Sequence, residues 1–397
     1  MTAAMALAMG RPARGTPPSL SSCPVKRLAE RAAPAAPATP AATGTAAAGR
    51  PACRWPVAGG IVAGIAADRL LGDPRRGHPV AIFGRAAQAI QDRCYADSRR
   101  RGLVYAAGCV MPVLAAAAMA DRLSRPRPWA RLALTATTAW AVTGAASLAA
   151  EAGRIRAALS AGDLPAARAA LPSLCGRDPA GLGEAELVRA VIESVAENTS
   201  DAAVAPVLWG AVAGLPGLAG YRAVNTLDSM VGYRSRKYAR FGWASARLDD
   251  VANWGPARLT GLLAVAFAPV AGGSPAAAWR AMRTYGSRHP SPNAGRCEAA
   301  FAGALGIRLG GTSAYGGTSE HRPVLGDGRA PGPADISRAI RLSRAVTLAA
   351  TGIAALAAAV LAGQPGSGAP DLTRSWGSGS RPAVSGRAAA MAGRESG

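Results

Sequence analysis

The sequence predicts an all-α, polytopic integral membrane protein with about four to six transmembrane or membrane-embedded helices and helical cytoplasmic segments. Three observations predict it. Of 397 residues, 50% are hydrophobic. Several apolar runs reach the roughly 18–20 residues that a helix needs to cross a bilayer. The polar stretches between them space their apolar residues as helices do, not in the alternation of strands.

The elements follow in order. Residues 1–54 are rich in Ala, Pro, Thr and Arg without periodicity, which reads as a disordered N-terminal extension. The opening MTAAMALAMG is too short and too weakly apolar for a signal peptide. Residues 55–72 form an apolar run with Asp68 and Arg69 near its end. The runs 103–120 and 345–362 carry no charge, and 129–150 carries one Arg near its start; these three meet the length rule for a span. The runs 202–221 and 257–273 are ambiguous, because both contain Pro and Gly. Residues 153–174 resemble two helices joined by a turn at Asp163 and Pro165. A helix is expected over about 184–198, closed by Asn198-Thr199-Ser200, with Asp201 capping the next segment. HPSPNAG (289–295) reads as a rigid turn before a helix from about 295. Residues 364–397 are Gly/Ser/Arg-rich and read as a disordered tail, which leaves one membrane-embedded domain over 55–363.

Composition narrows the function. The net charge is +22, but nearly all the cations are Arg, and Lys occurs only at Lys26 and Lys237. With abundant Ala and Gly, that bias reflects a GC-rich genome as much as an anionic partner. The six cysteines form no CxxC pair, and the three histidines form no HExxH motif. Zinc-ribbon, thioredoxin-type and zincin chemistry are therefore not indicated. No GxxxxGK[ST] loop occurs, so any ATP chemistry is not of the Walker type.

The chemistry-bearing residues fall in three stretches. In ESVAENTSD (193–201), Glu193, Glu197 and Asp201 recur every four residues, on one helical face, with no Lys or Arg four residues on. In 221–261, Asn225 and Asp228 stand at i, i+3, and Asp249 and Asn253 at i, i+4, with Asp250 beside them. Arg222, Arg234, Arg236, Lys237, Arg240, Arg247 and Arg258 are interspersed. The third stretch carries His289 and Asn293, with glycines at 303, 306, 310 and 311. Acids and amides on successive turns can hold a hard divalent cation through oxygen, and arginines fork onto phosphate or carboxylate. The bland alternatives are a solvated helix face and a basic cytoplasmic loop.

Taken together, ESVAENTSD, YRAVNTLDSMVGYRSRKY, FGWASARLDDVANWGPARLT, HPSPNAG with EAAFAGALGIRLGG, and the early GDPRRGHPV closely resemble the CobD/CbiB family of cobalamin biosynthesis, the adenosylcobinamide-phosphate synthases of the bacterial membrane. The resemblance runs in order over roughly 57–360. It implies a membrane ligase that joins aminopropanol, or its O-phosphate, to the f propionate carboxylate of cobyric acid, with ATP and Mg²⁺. Implied partners are the corrinoid, the amine, membrane lipid and other late membrane enzymes of that pathway, with no nucleic acid. Chemically, Glu193, Glu197, Asp228, Asp249 and Asp250 are the candidate catalytic carboxylates. Glu193, Glu197, Asp249 and Asp250 are the candidate Mg²⁺ ligands. Arg234, Lys237, Arg247 and Arg258 would take phosphates or propionates. Asn198, Asn225, Asn253, His289 and Asn293 would orient substrate.

One constraint decides whether this site can exist. If 202–221 crossed the bilayer once, 193–201 and 221–258 would face opposite sides and could not share ATP. A broken or re-entrant hairpin, or a helix buried in protein, is therefore expected there, with the site on the cytoplasmic face of the cell membrane. The competing classes are a transporter or channel, which needs acids along the middle of its spans, and a soluble nucleic-acid binder, which needs aromatic interleaving that the sequence lacks.

Overall fold

The structure, a computed structural model, describes residues 55–73, 77–233, 235–315 and 318–361, with backbone alone for 312–321. The expectations for 1–54 and 364–397 lie outside the described residues. In chain order the helices are α1 (Trp55–Leu71), α2 (Pro79–Cys94), α3 (Arg99–Ser124), α4 (Pro128–Val142), α5 (Ala145–Ser160), α6 (Leu164–Ala170), α7 (Glu184–Thr199), α8 (Ala205–Val231), α9 (Trp243–Ala252), α10 (Trp254–Ala266), α11 (Pro275–Tyr285), α12 (Ala294–Leu305) and α13 (Pro333–Val360). The protein is all-α in class and polytopic. Four stretches are long and apolar enough to cross a membrane: Arg99–Ser124, Pro128–Ser160, Glu184–Val231 and Pro333–Val360.

Small residues set the helix contacts. A Cβ at Gly60 would lie 2.5 Å from Thr135 Cβ, and one at Gly64 2.5 Å from Ala139 Cβ, so α1 and α4 approach as closely as membrane helices do at glycine. The run 257–273 is not a span: α10 has 13 residues, and the chain then turns through a short 3-10 segment to Gly272 at φ 72°. It packs against α12 and α13 instead. The turn after α5 follows its spacing, with Asp163 Oδ1 accepting the Ala166 N–H at 2.9 Å.

The third apolar stretch doubles back. From α7 the helix continues through a π turn (Ser200–Val204) into α8. Helix closure at 198 and capping by Asp201, both expected from sequence, do not occur. The reason lies in Pro206, which has no N–H for the Ala202 carbonyl. Gly144 N–H donates to that carbonyl at 3.0 Å instead, so the helix widens by one residue without losing a bond. At Gly214 the backbone leaves the helix (φ 64°, ψ −140°), a conformation open to glycine. Beyond it, the Tyr221 hydroxyl donates to the Asp201 carbonyl at 3.3 Å. Along one straight helix those residues would stand about 30 Å apart. Both polar ends of the hairpin thus lie at the same end of the bundle.

The hairpin tip meets the α3–α4 turn, where Arg131 donates twice to Asp121 Oδ1, at 3.1 and 2.8 Å, and Arg125 donates to Oδ2. A second apolar cluster, including Tyr105, Leu227 and Phe241, ties α3 to the returning arm of α8. The main core gathers Leu187, Ile192, Phe301 and Leu342 from α7, α12 and α13. An antiparallel hairpin of β1 (Leu309–Tyr315) and β2 (Thr318–Leu325) follows α12; the sequence reading placed no strand there.

Candidate functional site

Where the two arms of the hairpin rejoin, the acids gather. Glu197, Asn198 and Asp201 come from α7 and the π turn, on positions spaced three or four residues apart. Arg222, Asn225 and Asp228 come from the returning arm of α8. Arg247, Asp249, Asp250 and Asn253 come from α9 and its C-terminal cap, His289 and Asn293 from the turn before α12, and Arg322 from β2. All of them line a single cavity of about 450 Å³. Five carboxylates and three arginines therefore share one space with four amides.

A hydrogen-bond chain holds the floor. Asp249 Oδ1 accepts from Asn225 Nδ2 at 3.2 Å, and its Oδ2 accepts from Asn253 Nδ2 at 2.9 Å. Asn253 Oδ1 accepts the Tyr221 hydroxyl at 2.8 Å, and Arg222 donates to Asn225 Oδ1 at 3.4 Å. Burial pushes the Asp249 carboxyl up to about 6; the two amides pull it down, and the charges of Asp250 and Glu197 add to the push. Glu197 is exposed to the cavity. At the wall, His289 Nδ1 accepts the Ser291 N–H at 3.0 Å, and its Nε2 lies 3.9 Å from Glu298 Oε1. Burial lowers the His289 imidazole. Burial first, then the charges of Glu193 and Glu197, hold Glu298 well above the ordinary carboxyl value.

Several expected residues stand elsewhere. Glu193 is buried with its back to the cavity: Oε2 accepts from Arg177 Nη2 at 2.6 Å, and Oε1 accepts the Gly310 N–H at 2.7 Å. It is a strut joining α7 to the loop before it and to β1, and it stands outside the lining that holds the other acids. Lys237 lies outside the cavity lining, 5.0 Å above the Tyr238 ring. Arg258 stacks 4.1 Å over Trp254 and sits at the rim, 3.3 Å from Asn293 Oδ1. Arg234 lies outside the described residues. The four-acid Mg²⁺ cage is not assembled either: among the described residues no three His, Cys, Asp or Glu side chains converge to hold a metal. Mg²⁺ usually keeps several waters and leans on one or two carboxylates plus substrate phosphates. The cavity's hard oxygen donors fit that mode.

Asp201 and Arg222 were noted in the chemistry-bearing stretches but given no site role from sequence, and Arg322, in the lining, and Glu298, behind His289, were not singled out. Glu298 had a signal, as the lone acid in the apolar run after HPSPNAG. Arg322 had none. For Glu193 the geometry predicts a structural loss: Glu193→Gln removes the carboxylate charge from its buried ion pair with Arg177, costing about 3–5 kcal/mol. The check is the melting temperature in detergent, which should fall; an unchanged value would contradict the strut.

The fold and cavity define a polytopic membrane protein with a polar, acid- and arginine-lined site at one end of its bundle. The CobD/Cbib protein family model matches residues 61–343. The "Cobalamin biosynthesis protein CobD" of Mycobacterium tuberculosis (strain ATCC 25618 / H37Rv) is 53% identical over 297 residues, covering 75% of this chain and 94% of that protein. Proteins of the same description from Geobacter metallireducens and Rhodobacter capsulatus are 45% and 42% identical, covering 67% and 72% of this chain and 86% and 92% of theirs. No solved structure matches. The chain belongs to the CobD/CbiB family of cobalamin biosynthesis proteins.

Proposed function

We propose that this chain is an ATP-dependent ligase that attaches aminopropanol, or its O-phosphate, to the f propionate carboxylate of cobyric acid. What supports the reading most is the single cavity that gathers five carboxylates, three arginines and four amides from separated stretches. A carboxylate and an amine do not condense unaided in water. The propionate oxygen first takes the γ-phosphoryl group of ATP, and ADP leaves. The amine nitrogen then attacks the acyl phosphate, loses its proton to a base, and inorganic phosphate leaves as the amide forms.

The residues divide these tasks. Arg222, Arg247 and Arg322 offset charge on the phosphoryl oxygens. One or two of Asp228, Asp249 and Asp250 would hold Mg²⁺, which would neutralise charge on the nucleotide phosphates. Glu197 takes the amine proton: it is exposed and lines the cavity. Asn198 and Asn293 orient corrin amides, Arg258 takes anionic groups at the rim, and Arg234 takes phosphate or propionate. A cavity of this size accepts the reacting ends while the macrocycle stays over the mouth. ATP puts the site on the cytoplasmic face of the cell membrane.

The test feeds cobyric acid, ATP, Mg²⁺ and each amine to membranes containing the protein. Amidated corrinoid and ADP in equal amounts are expected; neither product with either amine would refute the reading. A pH dependence follows. Asp249 sits at about 6 against 3.8 ordinarily. A carboxyl held high stays neutral in the folded protein through that window, so its burial penalty vanishes as pH falls through about 6, while its ability to hold a cation is lost. Activity should therefore fall as pH drops through about 6, and excess Mg²⁺ should move that limb lower. A limb insensitive to Mg²⁺ would count against Asp249 as a ligand.

A further inference from the structure

A second cavity, of about 470 Å³, opens between α1, α5 and α13, away from the acids described above. Asp68 lines it and is 1% exposed. Its carboxylate draws on the Ala145 N–H and its Oδ2 accepts the Ala146 N–H at 3.0 Å, while its Oδ1 is buried and makes no hydrogen bond of its own. Thr347 Oγ1, on the facing helix, is likewise buried and unpartnered. Two orphaned polar atoms in one cavity are costly unless a ligand satisfies them. Arg69 and Arg344 also line the cavity, both exposed and without a carboxylate partner among the described residues.

The donor set is specific. A buried carboxylate oxygen calls for an N–H-bearing cation. Guanidinium groups at the same cavity call for a phosphate. The wall is apolar: Leu70, Leu71 and Leu348 line it and are 82%, 69% and 51% exposed. Exposed leucines of this kind would suit acyl chains.

We infer that this cavity holds a phospholipid headgroup of the phosphoethanolamine kind, its ammonium on Asp68 Oδ1 and its phosphate on Arg69 and Arg344. A choline headgroup has no N–H to donate. A headgroup that is only anionic would satisfy the arginines and be repelled by Asp68. The same ammonium–phosphate chemistry also exists free in solution, as O-phosphoethanolamine; the leucines at the cavity favour the lipid. This site is independent of the ligase reading, although Ser343 on its wall accepts the Thr199 hydroxyl at 2.7 Å, one residue before the π turn.

The test uses the full chain in nanodiscs of equal phosphatidylethanolamine, phosphatidylcholine and phosphatidylglycerol, extracted gently and weighed intact by native mass spectrometry. Retention of phosphatidylethanolamine over phosphatidylcholine by roughly tenfold is expected, the worth of one charge-assisted hydrogen bond. Asp68→Asn should erase that preference, since it keeps an oxygen for Ala146 and loses the charge. Arg344→Gln should lower retention on its own, and it carries the test if Asp68→Asn does not fold. Equal retention of the three lipids overturns the inference. So does a phosphatidylethanolamine preference that both variants keep, or phosphatidylglycerol retention indifferent to Asp68→Asn. Lipid-free protein that binds O-phosphoethanolamine, while nanodisc protein retains no lipid, overturns the lipid as occupant.

Discussion

Exchange of Glu197 for Gln is expected to cut formation of the amidated corrinoid by about 10²–10⁴-fold, the range lost with a general base, while insertion and melting stay as in the unaltered chain. The side chain faces the cavity, so its replacement by an isosteric amide disturbs no packing. The contrast with Glu193, four residues earlier, carries the argument. Both are glutamates on one helix, yet Glu193 is tied to Arg177 and Gly310. Glu193→Gln should lower stability, and Glu197→Gln should lower turnover. Initial rates with saturating ATP, beside melting curves of the same preparations, separate the two. Full activity in Glu197→Gln would remove it from the mechanism.

Gly217→Val should disrupt the fold. A Cβ at Gly217 would lie 1.9 Å from the Trp209 carbonyl oxygen, and that backbone atom cannot rotate away. Overpacking of this kind costs about 1–3 kcal/mol or more, and here it pries open the hairpin that brings 197–201 beside 222–228. Melting temperature and corrinoid amidation should fall together. Gly108→Ala is the matching control, because nothing lies within 4 Å of its added Cβ. A Gly217→Val protein as stable and active as the Gly108→Ala control would mean that the arms do not meet as closely as described.

Much of this architecture was legible because lipid imposes a length on apolar runs, and 103–120 and 345–362 obey it without a charge. The doubling back at 214 was half legible: Pro206 and Pro216 forbid a plain helix, but the contacts of Tyr221 with Asp201 and of Gly217 with Trp209 show that the chain reverses. Asn-Thr-Ser-Asp reads as a helix end by local propensity. It continues as helix because Gly144, far away in sequence, satisfies the Ala202 carbonyl. Spacing alone could not separate Glu193 from Glu197, since Arg177 and Gly310, which claim the first, arrive from other parts of the chain. The β-hairpin escaped notice because paired Gly310 and Gly311, both at positive φ, mask the alternation by which a strand is read. The acids sit where the hairpin arms rejoin, at one end of the bundle, which is what distinguishes the site from a carboxylate path through the spans.

The account rests on the hairpin returning 221–258 to the side of the membrane that holds 193–201. Single cysteines at Ala185 and Ala239, both exposed, in an otherwise cysteine-free chain, test it with a membrane-impermeant maleimide applied to sealed vesicles of known orientation. The same reagent side should label both positions. Labelling of the two from opposite sides would separate the acids by the bilayer and contradict the account.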